Sequence, residues 1–188
     1  MRGAFGGGAT YILPGLIEAN DSSYAVLGIT SDISVESYGK YPLTEVDQDA
    51  LMRPLTKWNT GIKRADHVPR MVRAAFRAMT TGRPGAAHIG LPYDIQYDAV
   101  DASDIWADPA LATYPAYRAA PERGAAQVAV DAILSAKNPL ILCGGGVVIA
   151  GAMAQLRRLA TRLDIPVDTS ISGQGSLAAP DPQCLVVV

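Results

Sequence analysis

The chain has 188 residues, 49% of them apolar and 18% charged, with a net charge of −2. That length holds one large domain or two small ones with a real core. The balanced charge, without a basic stripe, excludes nucleic acid as a partner, because phosphate neutralisation needs clustered Lys and Arg.

Cys143 and Cys184 form no C-x-x-C pair, and His67 and His88 stand far apart, so no disulfide framework or metal site is read. No apolar run has the length of a membrane span, and no signal-peptide pattern opens the sequence. The chain therefore reads as a cytoplasmic α/β protein without a membrane partner.

Small residues from 3 to 9 lead into an apolar run, 11–19, that reads as helix with Pro14 in its first turn. Asn20-Asp21-Ser22-Ser23 is a turn, and residues 24–29 read as a buried strand. Thr44-Glu45-Val46-Asp47 resembles a capping box that starts a short helix through Met52. Residues 55–58 read as strand. Val68, Met71, Val72, Ala75, Phe76 and Met79 recur at helical spacing, with Arg70, Arg73 and Arg77 facing elsewhere. Gly82-Arg83-Pro84-Gly85 ends that helix, and residues 86–91 form a strand stopped by Pro92.

Residues 93–121 hold Pro109, Pro115 and Pro121 with little periodicity, the texture of an extended interdomain linker. An Ala-rich helix follows over 122–136, then strand 139–143, the turn Gly144-Gly145-Gly146, helix 153–163 and strand 165–169. Strand, glycine turn, helix and strand make a βαβ unit and imply a parallel sheet. Val186-Val187-Val188 reads as the start of another strand.

Several motifs carry chemistry. Gly6-Gly7-Gly8-Ala9-Thr10 before a helix allows close backbone approach and presents N–H groups to a ligand. Lys57 in Thr56-Lys57-Trp58-Asn59 either lays its stem on the core with a wet head or meets an anionic partner. Gly144-Gly145-Gly146 after a strand suits a pyrophosphate or is a bare βα turn, since Ile149 stands at the third place of the G-x-G-x-x-G pattern. His67 and His88 read as satisfied structural histidines, and Cys143 as a small buried hydrophobe.

Arg53-Pro54-Leu55-Thr56-Lys57-Trp58-Asn59, Thr81-Gly82-Arg83-Pro84-Gly85 and Leu91-Pro92-Tyr93-Asp94, in that order, resemble thiamine diphosphate enzymes of the acetolactate (acetohydroxyacid) synthase type. The glycine segment is similar to the family's Ser-Gly-Pro-Gly-Ala-Thr-Asn loop, departing at Phe5, Gly7 and Tyr11. Leu43-Thr44-Glu45-Val46-Asp47 is similar to Phe-Gln-Glu-Val-Asp, departing at Leu43 and Thr44.

The resemblance implies an α/β fold: part of a pyrimidine-binding, doubly wound parallel-sheet domain (1–97), a linker (98–121) and the start of a Rossmann-like central domain (122–188). It places Gly6, Gly7, Gly8, Ala9 and Thr10 beside the cofactor's aminopyrimidine at a subunit interface. It places Lys57 near the substrate or flavin channel and Gly144, Gly145 and Gly146 at a flavin. The implied cofactors are thiamine diphosphate with magnesium, with flavin adenine dinucleotide left open. The implied partners are a small-molecule 2-keto acid and further copies in a homo-oligomer.

The implied reaction is that of a carboligase or decarboxylase. Glyoxylate carboligase, sulfoacetaldehyde acetyltransferase and benzoylformate decarboxylase share the architecture, and the substituted Leu43 and Thr44 leave the substrate pair open. The family's catalytic glutamate and its Gly-Asp-Gly magnesium motif have no counterpart here, so no catalytic or metal residue is assigned and a partial chain, inactive alone, is expected. A non-catalytic nucleotide-binding or interaction module is the alternative.

Overall fold

In the computed structural model the described residues are 2–3 and 6–185. The chain divides into two units, Met1–Tyr117 and Arg118–Val188. Phe5 and the strand expected at 186–188 lie outside the described residues.

The first unit is built on four parallel strands, β1 (Arg2–Gly3), β2 (Val26–Asp32), β3 (Trp58–Gly61) and β4 (Ala86–Pro92), in the order β1-β2-β4-β3. The register sets Gly28 and Asn59 beside His88, and Thr30 and Gly61 beside Gly90. Because strand side chains alternate, one face carries Gly28, Thr30, Asp32, Asn59 and His88, while Ala87 and Ile89 lie on the other.

Helices cover both faces, the doubly wound arrangement expected. Helix α3 (Val68–Thr80) packs Ala75 and Met79 onto Ala87 and Ile89. Helices α1 (Leu13–Asp21) and α2 (Gln48–Met52) bring Leu16 and Met52 to Ala86 on the opposite face. Gly28 permits that packing, since a Cβ there would stand 3.1 Å from Ile12 and Leu16 methyl carbons. Burying Leu16 and Met52 completely is worth about 1.5–3 kcal/mol each.

Local expectations shift in three places. The strand expected at 55–58 lies at Trp58–Gly61, because Arg53-Pro54 turns the chain and the polar Asn59 and Thr60 pair with β4. The cap of α2 is Asp47, whose Oδ1 accepts from Ala50 N at 2.9 Å, whereas Thr44 sits at φ 78° outside the helix. Strand β2 starts two residues later than expected and runs on to Asp32.

The stretch read as a linker contains short 3-10 turns at Ile95–Tyr97, Ala102–Asp104 and Pro109–Ala112. Its part up to Tyr117 belongs with the first unit. Leu111 is 3% exposed, Arg73 pairs with Asp104 at 3.0 Å, and Ala116 N donates to Thr80 O at 2.8 Å.

The second unit opens with α4 (Arg123–Ser135), capped by Glu122, whose carboxylate accepts from Gly124 N at 2.9 Å and Ala125 N at 2.8 Å. Strand β5 (Ile141–Cys143) pairs in parallel with β6 (Val167–Thr169). The crossover runs through α5 (Gly145–Ile149) and α6 (Met153–Leu163), the βαβ unit expected. Cys143, Leu156, Ala160, Val167 and Leu177 form its core, so Cys143 is the buried hydrophobe it was read to be.

Candidate functional site

In parallel α/β sheets ligands bind beyond the carboxyl ends of the strands, where backbone ends and loops converge. At that edge of the first unit lies a cleft of about 280 Å³, lined by Asp32, Tyr38, Glu45, Gln48, Asp49 and Lys63 among others. Asp32, the last residue of β2, is 3% exposed. Its Oδ2 accepts from the Tyr38 hydroxyl at 2.5 Å and its Oδ1 from Ile33 N at 2.8 Å.

Burial raises the Asp32 carboxyl above the ordinary range. The Tyr38 and Ile33 hydrogen bonds oppose that rise, and the Asp49 charge adds to it. Burial and the bond to Asp32 likewise push the Tyr38 phenol up. Glu45 accepts from Gly39 N at 2.8 Å through Oε1, while its buried Oε2 has no partner among the described residues. Asn59 donates to Asp49 O at 3.0 Å, and a Cβ on Gly61 would come within 3.2 Å of the Asp49 carboxylate.

Beneath the cleft runs a buried polar chain. Gln48 Nε2 donates to Ser31 O at 2.9 Å, which leaves Gln48 Oε1 as the acceptor for the Thr30 hydroxyl. Thr30 Oγ1 in turn lies 2.8 Å from His88 Nε2. Since that hydroxyl proton is already committed to Gln48, His88 Nε2 must carry the proton and donate. His88 Nδ1 is then a bare acceptor, and it is buried without a partner among the described residues. Burial lowers the His88 pKa to about 4, so the ring is neutral near pH 7. The histidine read as satisfied is satisfied at one nitrogen only.

The glycine segment forms a 3-10 helix, Gly6–Ile12. Gly6 has φ 51°, and a Cβ on it would stand 2.6 Å from Thr44 O, so glycine is required there on two counts. This contact brings Gly6–Thr10 against the Leu43–Asp47 motif at the carboxyl edge. Ala9 is fully buried, and Thr10 Oγ1 donates to Gly7 O at 2.6 Å. A Cβ on Gly7 would meet nothing within 4 Å, so the chain is open to a ligand at that position.

Lys57 lies at the other, amino edge of the same sheet. Its Nζ donates to the carbonyls of Thr81 and of Arg83, the latter at 2.7 Å, and partial burial lowers its pKa. The structure thus joins Gly6–Thr10 to the acid-lined cleft and leaves Lys57 apart from both.

In the second unit, Gly144 precedes α5, and a Cβ on Gly145 would stand 3.1 Å from Ser172. A Cβ on Gly173 would come within 2.2 Å of Cys143 O, so the loops after β5 and β6 meet through glycine. Gly146 stays open. Sequence reasoning missed Asp32, Tyr38 and Asp49. Asp32 gave no local signal because the strand was expected to end at Ile29, three residues before it.

The donor set can be tested against thiamine diphosphate. The open space at Gly7 and the cleft's carboxylate acceptors suit an aminopyrimidine ring, which presents N–H donors. Asp32, Glu45, Asp47 and Asp49 against Lys63 alone would repel a diphosphate. Among the described residues no group of three His, Cys, Asp or Glu is placed to hold a metal ion.

Comparison with known proteins agrees with the resemblance. Residues 126–188 match the sequence model of the thiamine pyrophosphate enzyme central domain. A probable acetolactate synthase large subunit from Methanocaldococcus jannaschii is 36% identical over 185 residues, 97% of this chain and 31% of the relative. The glyoxylate carboligase of Escherichia coli O157:H7 is 30% identical over 93% of this chain and 29% of its own length. An acetolactate synthase from Arthrospira platensis is 30% identical over 97% of this chain and 32% of its own length.

The chain thus spans about a third of the curated relatives it matches. Among the described residues no helix is long and apolar enough to cross a membrane. With parallel sheets in both units, the chain is similar along nearly its whole length to acetolactate synthase large subunits, and its residues 126–188 match the thiamine pyrophosphate enzyme central domain.

Proposed function

We propose that this chain contributes the pyrimidine-side wall and the opening of the central domain of a thiamine diphosphate-dependent carboligase or decarboxylase acting on 2-keto acids. The observation that carries this reading is likeness over more than nine-tenths of the chain to both acetolactate synthase and glyoxylate carboligase. When bound, the cofactor supplies a carbanion nucleophile at its thiazolium ring.

In this reading residues 1–97 are the pyrimidine-binding part and 122–188 the central-domain part. The glycine segment Gly6–Thr10 would hold the aminopyrimidine, and the cleft acids could accept from its N–H donors. Tyr38 holds Asp32 in place at the rim. The carboxylate excess directs the anionic end of a keto acid away from this wall. Lys57 would border the substrate or flavin channel, and Gly144–Gly146 would hold a flavin adenine dinucleotide. Magnesium, the diphosphate and the proton-relay acid are held outside these residues, in a cytoplasmic homo-oligomer.

Grafting the chain in place of the matching residues of the Methanocaldococcus jannaschii relative tests this. The chimera is expected to form a carbon–carbon condensation product from pyruvate or glyoxylate with thiamine diphosphate and magnesium. A chimera that binds the cofactor yet makes no product from either acid refutes the reading. The 188-residue chain alone is expected to bind the cofactor weakly in calorimetry, and micromolar affinity would contradict the division of labour described.

A further inference from the structure

The outer face of α3 borders a second cleft, of about 420 Å³, lined by Arg70, Arg73, Ala74, Arg77, Ala78 and Trp106. It lies within the size range of small-ligand sites, about 300–1,000 Å³. Among the described residues no acidic side chain lines it, in a chain whose net charge is −2.

The three arginines are not equivalent. Arg73 is committed: it donates to Asp104 O at 2.7 Å and to both carboxylate oxygens at 3.1 and 3.0 Å. Its guanidinium lies 4.3 Å from the centre of the Trp106 ring. Arg73 therefore neutralises Asp104 and fixes the indole, which is still 55% exposed. Arg70 and Arg77 are exposed and make no side-chain hydrogen bond or ion pair with any described residue. Ala74 and Ala78, one turn apart between them, keep the floor of the groove shallow and open.

Arg70 and Arg77 are seven residues apart on one helix, a rise of about 10.5 Å, so both side chains can reach one diphosphate. Guanidinium groups bind phosphate oxygens in pairs, and a fixed indole offers a stacking surface. We propose that this cleft binds a nucleoside diphosphate, with its phosphates on Arg70 and Arg77 and its base on Trp106. A longer polyanion is disfavoured, because only two free guanidiniums face it. The site is separate from the acid-lined cleft and does not rest on the function proposed above.

Titration of the protein with ADP, pyrophosphate and adenosine tests the assignment. ADP is expected to bind at least tenfold more tightly than either half, and excess thiamine diphosphate should not displace it. Arg70→Ala and Arg77→Ala, both on the solvent face of α3, should each weaken ADP and pyrophosphate about tenfold while leaving adenosine unchanged. Trp106→Ala should weaken ADP and adenosine but not pyrophosphate, and Trp106→Tyr should restore much of the loss. No binding at millimolar ADP, or ADP affinity unchanged in the Arg70→Ala/Arg77→Ala double variant, overturns the proposal. Displacement of ADP by an oligoglutamate peptide at equal concentration also overturns it, in favour of an acidic protein partner.

Discussion

Lowering the pH from 7 to 5 should weaken the first unit through His88. The ring is fully buried, and its pKa is lowered from 6.5 to about 4 by that burial. The unfolded chain therefore takes up a proton near pH 6.5 while the folded chain does not, so stability is complete above 6.5 and falls as the pH drops toward 4. At pH 5 the chain stands one and a half pH units below 6.5, which at 1.36 kcal/mol each costs about 2 kcal/mol. Asp32 acts in the opposite sense: its raised pKa lets the folded state bind a proton first, which adds stability as the pH falls.

A variant separates the two. In His88→Gln the amide nitrogen can still donate to Thr30, but the side chain does not titrate. Urea unfolding followed by tryptophan fluorescence reports the first unit alone, since both tryptophans, Trp58 and Trp106, lie in it. The wild type should lose about 2 kcal/mol more than His88→Gln between pH 7 and pH 5. Parallel losses in the two proteins would refute a buried, neutral His88.

Other substitutions probe the same edge. Thr30→Val keeps the shape but strips partners from both Gln48 Oε1 and His88 Nε2, and should cost about 2–4 kcal/mol at pH 7; Thr30→Ser should recover most of it in the same urea assay. Gly6→Ala must hold φ near 51° and push Thr44 aside, and should lower stability by about 1–3 kcal/mol, read as a lower urea midpoint by tryptophan fluorescence. Lys57→Met removes two hydrogen bonds to exposed carbonyls, screened by water, and should cost less than about 1 kcal/mol in a thermal melt.

Elements that a single period determines were readable before the structure. Val68, Met71, Val72, Ala75 and Met79 mark the buried stripe of α3, and the run from 153 to 163 coincides with α6. Strand β3 was placed three residues early because Asn59, Thr60 and Gly61 carry no apolar pattern; pairing with β4 makes them a strand. The cap of α2 was misplaced because Thr44 and Asp47 both suit a cap by type, and only the left-handed backbone at Thr44 separates them. The polar chain was invisible for another reason. Thr30 is 18 residues from Gln48 and 58 from His88, so their meeting depends on strand order rather than on any local spacing.

That polar chain also explains how the acid-lined cleft keeps its shape. Helix α2 has five residues, too few to be stable on its own. It is tied to the sheet through Gln48, bonded to Thr30 and Ser31 O, and through Asn59, bonded to the Asp49 carbonyl. Met52 adds its apolar anchor at the far end. Apolar residues at Thr30 and His88 would serve the core equally well and avoid the cost of an unpaired Nδ1. They would, however, leave Gln48 Oε1 without its Thr30 donor and remove one of the ties that hold the helix carrying Asp49. The buried polar row is therefore best understood as the fixture that positions the rim acids, with part of the stability of the first sheet given up to hold them.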